Sequence, residues 1–278
     1  MKAAEILGIG DVRFVEPSYA DLTNAVFNEF LTNLPADEGR LLIDEHDEPL
    51  ALAFHDGGTW TAGTFICRKP SVAAIEHFEG VNGEIYQETR DEWIAAVREY
   101  FSNDIVENIT PAVDDMNKDR PAIIGELIEK IWGRGSGDVC LDFCCGSGAG
   151  SAVLRDLGYT PLSCDNDPAL ISRGFTAGRL FPHETICIDA TRATDYIDPV
   201  PLAIGIMMGE INPHTQELWQ QLVLQIFTLA EIVLITVGTG PEAGLVRSWG
   251  EGIGRTVSVF ENPQDPIYDR WVCVGGKQ

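Results

Sequence analysis

Three aspartates and a run of glycines stand at intervals that could do chemistry. Asp142 lies in VCLDFCCGSGAGSAVLRDLG, residues 139–158, four positions ahead of Gly146, and Ser147, Gly148 and Gly150 follow it. Asp165 comes 23 residues later at the end of TPLSCD, and Asp189 stands in ETICIDA. Glycines let a chain turn sharply and let a ligand approach its backbone. A helix that follows offers free N–H groups and a positive dipole end, which suit a phosphate or a carboxylate. An acid beside that turn repels a pyrophosphate but can hold an ammonium. An acid that ends the next strand can accept two ribose hydroxyls. An acid at the end of the third can accept from an exocyclic amino group. The set suits one ligand that carries an ammonium, a carboxylate, a ribose and an adenine.

The spacing separates this ligand from its rivals. A dinucleotide fingerprint needs GxGxxG, whereas the pattern here is GxGxG, and a P-loop needs a lysine that this turn lacks. A nicotinamide-dependent oxidoreductase would need a different glycine spacing. S-adenosylmethionine carries all four groups. On these residues the chain resembles the class I S-adenosylmethionine-dependent methyltransferases over roughly residues 120–278. LDFCCGSGAG resembles their glycine-rich first motif, CDNDPALI the second and CIDAT the third. The resemblance implies that Asp142 lies near the methionine amino group, with Cys144, Gly146 and Gly148 in the turn that approaches the cofactor. It implies that Asp165 binds the ribose hydroxyls beside Asn166, and that Asp189 and the Ala190 backbone meet the adenine. Many members carry glycine where Cys144 stands. The fourth strand ends MMGEINPH, where amino-group methyltransferases carry an NPP[YF]-type loop; Asn212-Pro213 is present and the aromatic residue is not. Glu210, Asn212 and His214 are the candidate catalytic residues of that loop, with Glu210 or His214 as a general base for an oxygen, nitrogen or thiol nucleophile.

These residues need elements to position them. From Gly137 onward strands and helices alternate: DVCLDFC, SAVLRDLG, TPLSCD, DPALISRGFTAGRLF, ETICIDA, PLAIGIMMG, HTQELWQQLVLQIFTLA, EIVLITVG and PEAGLVRSWGEGIG. Two strands, RTVSVFEN and YDRWVCVGG, close the chain without a helix between them. The fold class expected is α/β, a doubly wound, mostly parallel seven-stranded sheet with a terminal antiparallel β-hairpin. Asp167 and Pro168 cap the helix after the second strand. Residues 1–112 read as a smaller N-terminal α+β domain and 113–278 as the cofactor domain, with the polar TPAVDDMNKDRP between them. A helix is expected from Ser18. An antiparallel meander follows, with turns at DEHDE, at Gly57-Gly58 and at Asn82-Gly83. This domain is expected to recognise substrate. Tyr19, Trp60 and Trp93 read as packing residues, and His55 and His77 as structural residues of strands.

Composition narrows the partners. The net charge is -24, and the first 120 residues hold 24 acidic against 9 basic side chains. Such a surface disfavours bare nucleic acid and favours a protein side chain or a small molecule as methyl acceptor; a homodimer is compatible with it. Mean hydropathy is near zero, and no apolar run is long enough to span a membrane. The acid-rich, lysine-poor chain reads as cytoplasmic and archaeal. Seven cysteines without CxxC or zinc spacing read as reduced thiols, with no metal site. The alternative function is a non-catalytic, methyltransferase-like binding or assembly module.

Overall fold

A computed structural model describes residues 2–114 and 116–277. The chain divides into two compact units, Met1–Asp104 and Ile105–Gln278. The division falls inside a helix, ahead of the boundary read at residues 112/113.

The first unit carries helix α1 (Lys2–Ile6), strand β1 (Arg13–Phe14), helix α2 (Val26–Thr32), strands β2 (Glu38–Ile43), β3 (Pro49–His55) and β4 (Trp60–Thr64), helix α3 (Val72–Gly80), strand β5 (Asn82–Gln87) and most of helix α4 (Arg90–Asn108). Its sheet order is β1-β4-β3-β2-β5. The strands β2, β3 and β4 form the expected meander, but β1 joins β4 and β5 joins β2 in parallel, so the sheet is mixed. Asn82-Gly83 makes no hairpin. It opens β5 directly after α3, and a Cβ at Gly83 would meet the Phe78 ring at 2.4 Å; the glycine is there for close packing. His77 accordingly lies on a helix. Ser18 bonds Asp21 and starts only a 3-10 turn, with α2 beginning at Val26. Leu31, Leu52, Phe54, Phe65, Ala74 and Phe78 form one core. Trp93 is fully buried and donates to Thr64 Oγ1 at 3.0 Å. Burial of such aromatic groups supplies a few kcal/mol each.

The second unit holds helix α5 (Arg120–Trp132), strand β6 (Val139–Phe143), helix α6 (Ala149–Asp156), strand β7 (Thr160–Asp165), helix α7 (Pro168–Thr176), strands β8 (Thr185–Cys187) and β9 (Val200–Gly205), helix α8 (Gln216–Leu229), strand β10 (Ala230–Val237), helix α9 (Gly240–Gly252), and strands β11 (Arg255–Glu261) and β12 (Trp271–Lys277). The strand order is β11-β12-β10-β9-β6-β7-β8. Five strands run parallel, while β12 lies antiparallel to both β10 and β11. This is the α/β, doubly wound, seven-stranded sheet with a terminal hairpin. Ile124, Leu127 and Ile128 of α5 and Val153 and Leu154 of α6 pack with Cys140, Ile204 and Leu234 of the sheet. Phe227 of α8 fills the space left by Gly250 and Gly275, so close that a Cβ on Gly275 would sit 2.3 Å from its ring. The chain order reverses between β6 and β9. Open sheets bind ligands outside the strand ends at such a switch point. Among the described residues no helix is long and apolar enough to cross a membrane.

Candidate functional site

A cleft of about 650 Å³ opens at that switch point. One wall is the glycine turn. Asp142, Cys144, Cys145, Gly146, Ser147, Ala149 and Gly150 line it, together with Asp165 from the end of β7. The other wall comes from Met116, Asn117 and Arg120 at the start of α5, Ile206 and Met207 after β9, and Gln264–Tyr268 between β11 and β12.

The first wall follows from local chemistry. Asp142 is 2% exposed. Its Oδ2 accepts from Ser151 Oγ at 2.6 Å, and Ser151 Oγ lies 2.7 Å from Ser163 Oγ. Burial pushes the Asp142 carboxyl up to about 6, the Ser151 bonds oppose this, and the charge of Asp165 adds to it. A Cβ on Gly150 would sit 2.8 Å from both Asp142 oxygens, so the glycine leaves room for the acid. Asp165 is 8% exposed. It accepts from the Gly146 N–H at 2.8 Å and the Asp167 N–H at 2.9 Å. Burial still raises its carboxyl, because the amide donors of Gly146, Asn166 and Asp167 offset only part of the lost hydration. Cys144 has φ 57 and Gly146 φ 53. The left-handed backbone explains why glycine suits position 144, and it costs a cysteine about 1–2 kcal/mol.

The two glycines of the turn do different work. A Cβ on Gly146 would meet nothing within 4 Å, so its backbone is open to the cleft. Gly148 has φ 81 and faces Leu180, whose Cγ would lie 2.5 Å from a Cβ there. Gly148 does not line the cleft; it lets the turn pack on residue 180.

The remaining residues read from the sequence sit elsewhere. Asn166 and Asp189 are exposed and Ala190 is buried, and none of the three lines the cleft. Asp189 Oδ1 accepts from the Thr191 N–H at 2.9 Å and from its hydroxyl at 2.7 Å, capping a short 3-10 helix. Asp167 caps α7 through the Ala169 and Leu170 N–H groups. Glu210, Asn212 and His214 are exposed and stand outside the cleft lining. Asn212 is engaged in its own loop, with Oδ1 accepting from the His214 N–H at 2.9 Å and Nδ2 donating to the Glu210 carbonyl at 3.2 Å. In their stead Ile206 and Met207 from the same strand end face the cleft.

The second wall escaped the sequence reading. Arg120 Nη2 lies 3.0 Å from Asp269 Oδ2, its Nη1 donates to Met207 Sδ at 3.1 Å, and its guanidinium stands 5.3 Å from the Tyr268 ring centroid. Asp269 is 1% exposed and accepts from Thr236 Oγ1 at 2.6 Å; that hydroxyl accepts from the Met207 N–H at 2.7 Å. This chain holds Met207 at φ 58. Glu242 Oε1 accepts from the Ile211 N–H at 2.8 Å and fixes the loop beyond. The one available sequence signal was the turn NPQDPIYD, rich in Asn, Asp and Pro and carrying an aromatic residue.

Burial pushes Cys144 and Cys145 well above the usual thiol range, and Cys164 up to about 12. A thiol that stays protonated is a poor nucleophile and a poor metal ligand. None of the seven cysteines forms a disulfide, and those of the turn serve as small fillers.

No family model matches the chain, and no curated protein matches it. Solved structures similar to it include a TehB-like S-adenosylmethionine-dependent methyltransferase from Corynebacterium glutamicum, 21% identical, covering 56% of this chain and 88% of that one at a TM-score of 0.45. Another is magnesium protoporphyrin IX methyltransferase from Synechocystis with S-adenosylmethionine bound, 15% identical over 68% of this chain and 99% of that one, TM-score 0.45. A third is a candidate RNA methyltransferase from Pyrococcus horikoshii, 14% identical over 65% and 98%, TM-score 0.45. At these identities the likeness is one of fold.

Proposed function

We propose that the chain is an S-adenosylmethionine-dependent methyltransferase that acts on a small molecule or a protein side chain. The observation that carries the reading is the pair of buried carboxylates, Asp142 and Asp165, beside the open Gly146 backbone in a cleft at the sheet's switch point. The residues fit the cofactor. Two acids in a sheltered cleft favour a ligand with an ammonium and a sulfonium, and both Asp165 oxygens keep lone pairs that ribose hydroxyls can use. Bound there, the cofactor supplies a methyl group on an electrophilic sulfur. The chain's own residues hold its charged end, keep the turn in shape and shield the cleft from water. Asp189 would have to leave its cap to reach an adenine.

The acceptor reading rests on charge. A net of -24 and the acids Asp142, Asp165 and Asp265 on the lining repel polyanions. The N-terminal unit is assigned to acceptor recognition, and Glu210 or His214 to proton removal if the loop after β9 moves. The test is calorimetric titration with S-adenosylhomocysteine on wild type and Asp165→Asn. Micromolar binding that weakens about tenfold or more in the variant is the expected result, since lost hydrogen bonds to a charged group are worth about 1.5–3 kcal/mol. Absence of binding by folded wild type sinks the reading. Binding with no turnover across oxygen, nitrogen and thiol acceptors turns it into the non-catalytic module.

A further inference from the structure

Among the described residues that line the cleft, Arg120 is the one basic residue, and the other charged ones are Asp142, Asp165 and Asp265. Its setting is that of a binding group. Asp269 neutralises it from behind at 3.0 Å and is itself fixed by Thr236. The guanidinium stands over the Tyr268 ring. The ion pair and the ring restrain the side chain, which lowers the entropy it loses on binding. The second edge of the fork is poorly served. Nη1 points at the thioether of Met207, and a thioether is a weak acceptor for a charged N–H. Met207 is 49% exposed and unbranched, so its side chain can swing away at little expense.

We propose that Arg120 receives a carboxylate of the bound ligand, whose oxygen takes the place of the Met207 sulfur. Position supports the assignment. Asp142 pairs with Ile204 across β6 and β9, and Met207 lies three residues beyond that pair. Asp165 lies on the opposite side of β6, at the end of β7. Acids on the glycine turn and a guanidinium at the β9 end orient a zwitterion or an amphiphilic acid along the cleft. The carboxylate has two sources: the amino-acid end of the proposed cofactor, or the methyl acceptor. The first source rests on the reading of the cleft as a cofactor site; the second does not.

Calorimetric titrations of the full chain separate the sources. The probes are S-adenosylhomocysteine, 5′-methylthioadenosine, which lacks the amino-acid end, and benzoate. The variants are Arg120→Met, which keeps the apolar stem, and Arg120→Lys, which keeps the charge and loses the fork. Near-UV circular dichroism confirms folding. A tenfold or greater loss for S-adenosylhomocysteine, with 5′-methylthioadenosine changed less than twofold, assigns the cofactor's carboxylate. Unchanged nucleoside affinities, with benzoate binding to wild type and lost in both variants, assign the acceptor's. The side-chain Nε–Hε resonance of Arg120 in the wild type, identified by its absence in Arg120→Lys, gives a readout that needs no folded Arg120→Met; it should move on addition of the effective probe. If wild type binds neither nucleoside, the cofactor reading fails and the benzoate arm still decides the Arg120 assignment. Equal binding of all three probes by wild type and variants, or a resonance that none of them moves, overturns the proposal.

Discussion

The wall that carries Asp142, Gly146 and Asp165 comes from one continuous stretch, β6 to the end of β7. The wall that carries Arg120, Met207 and Tyr268 is assembled from three segments far apart in the chain. The first wall is held by short-range rules: a left-handed turn, a helix start, and acids at strand ends accepting from nearby N–H and O–H groups. The second is held by long-range pairs, Arg120 with Asp269 and Thr236 with both Asp269 and Met207. On the function proposed, the first wall fits a cofactor common to many proteins and can be written locally. The second wall, built from three separate segments, can be varied one segment at a time without disturbing the turn.

The sharpest way to break this contrast is to load the turn with a methyl group. Gly148→Ala adds a Cβ at φ 81 against Leu180. The left-handed backbone costs about 1–2 kcal/mol and overpacking about 1–3 kcal/mol. Thermal unfolding should show a loss of about 2–5 kcal/mol. Gly146→Ala meets no neighbour and should show only the backbone term. Equal losses at the two positions would mean that the turn moves as a unit, and the division between a structural and an open glycine would go.

A smaller effect has an unusual sign. The Asp142 carboxyl sits at about 6 in the folded protein, against about 3.9 for an unperturbed aspartate. The folded state therefore binds the proton more tightly than the unfolded one. Without ligand, stability should fall as pH rises from about 4 to about 6 and level off above, by up to about 3 kcal/mol. Asp142→Asn should remove that contribution to the slope and raise the melting temperature at pH 7.5 by roughly 3–9 °C. The same substitution should weaken S-adenosylhomocysteine at least tenfold. Melting curves at pH 4.5 and 7.5 with matched titrations test both halves. A variant that melts lower at both pH values would show Asp142 to be a structural acid tied to Ser151 and Ser163.

The contrast also explains what could be read in the sequence. The alternation of strands and helices, the terminal hairpin, the Asp167 cap and the turn that carries Asp142, Cys144, Gly146 and Asp165 are written in short runs whose periodicity and turn chemistry are self-contained. Arg120 carried no local signal, because a lone arginine at a helix start gains meaning only from Asp269. Asn82-Gly83 misled for the opposite reason: its local signal is strong, but tertiary packing of Phe78 decides its use. The mixed pairing of β1 and β5 was illegible for the same cause, since parallel partners are chosen across long loops.

The least effect is expected where the sequence pointed to catalysis. His214 is exposed, stands outside the cleft lining, and contributes its backbone N–H to Asn212 at 2.9 Å. His214→Ala keeps that N–H. The melting temperature should stay within about 1–2 °C of wild type, as for surface substitutions generally, and S-adenosylhomocysteine affinity within about twofold. A methyl-transfer assay then separates two designs. An unchanged rate places proton removal elsewhere or makes it unnecessary, which suits an acceptor that is already nucleophilic. A rate loss of about a hundredfold or more with unchanged cofactor affinity would mean that the loop after β9 swings inward when acceptor binds. The second wall would then be completed only in the presence of its ligand, although Glu242, Thr215 and Asn212 tie that loop down in the free protein.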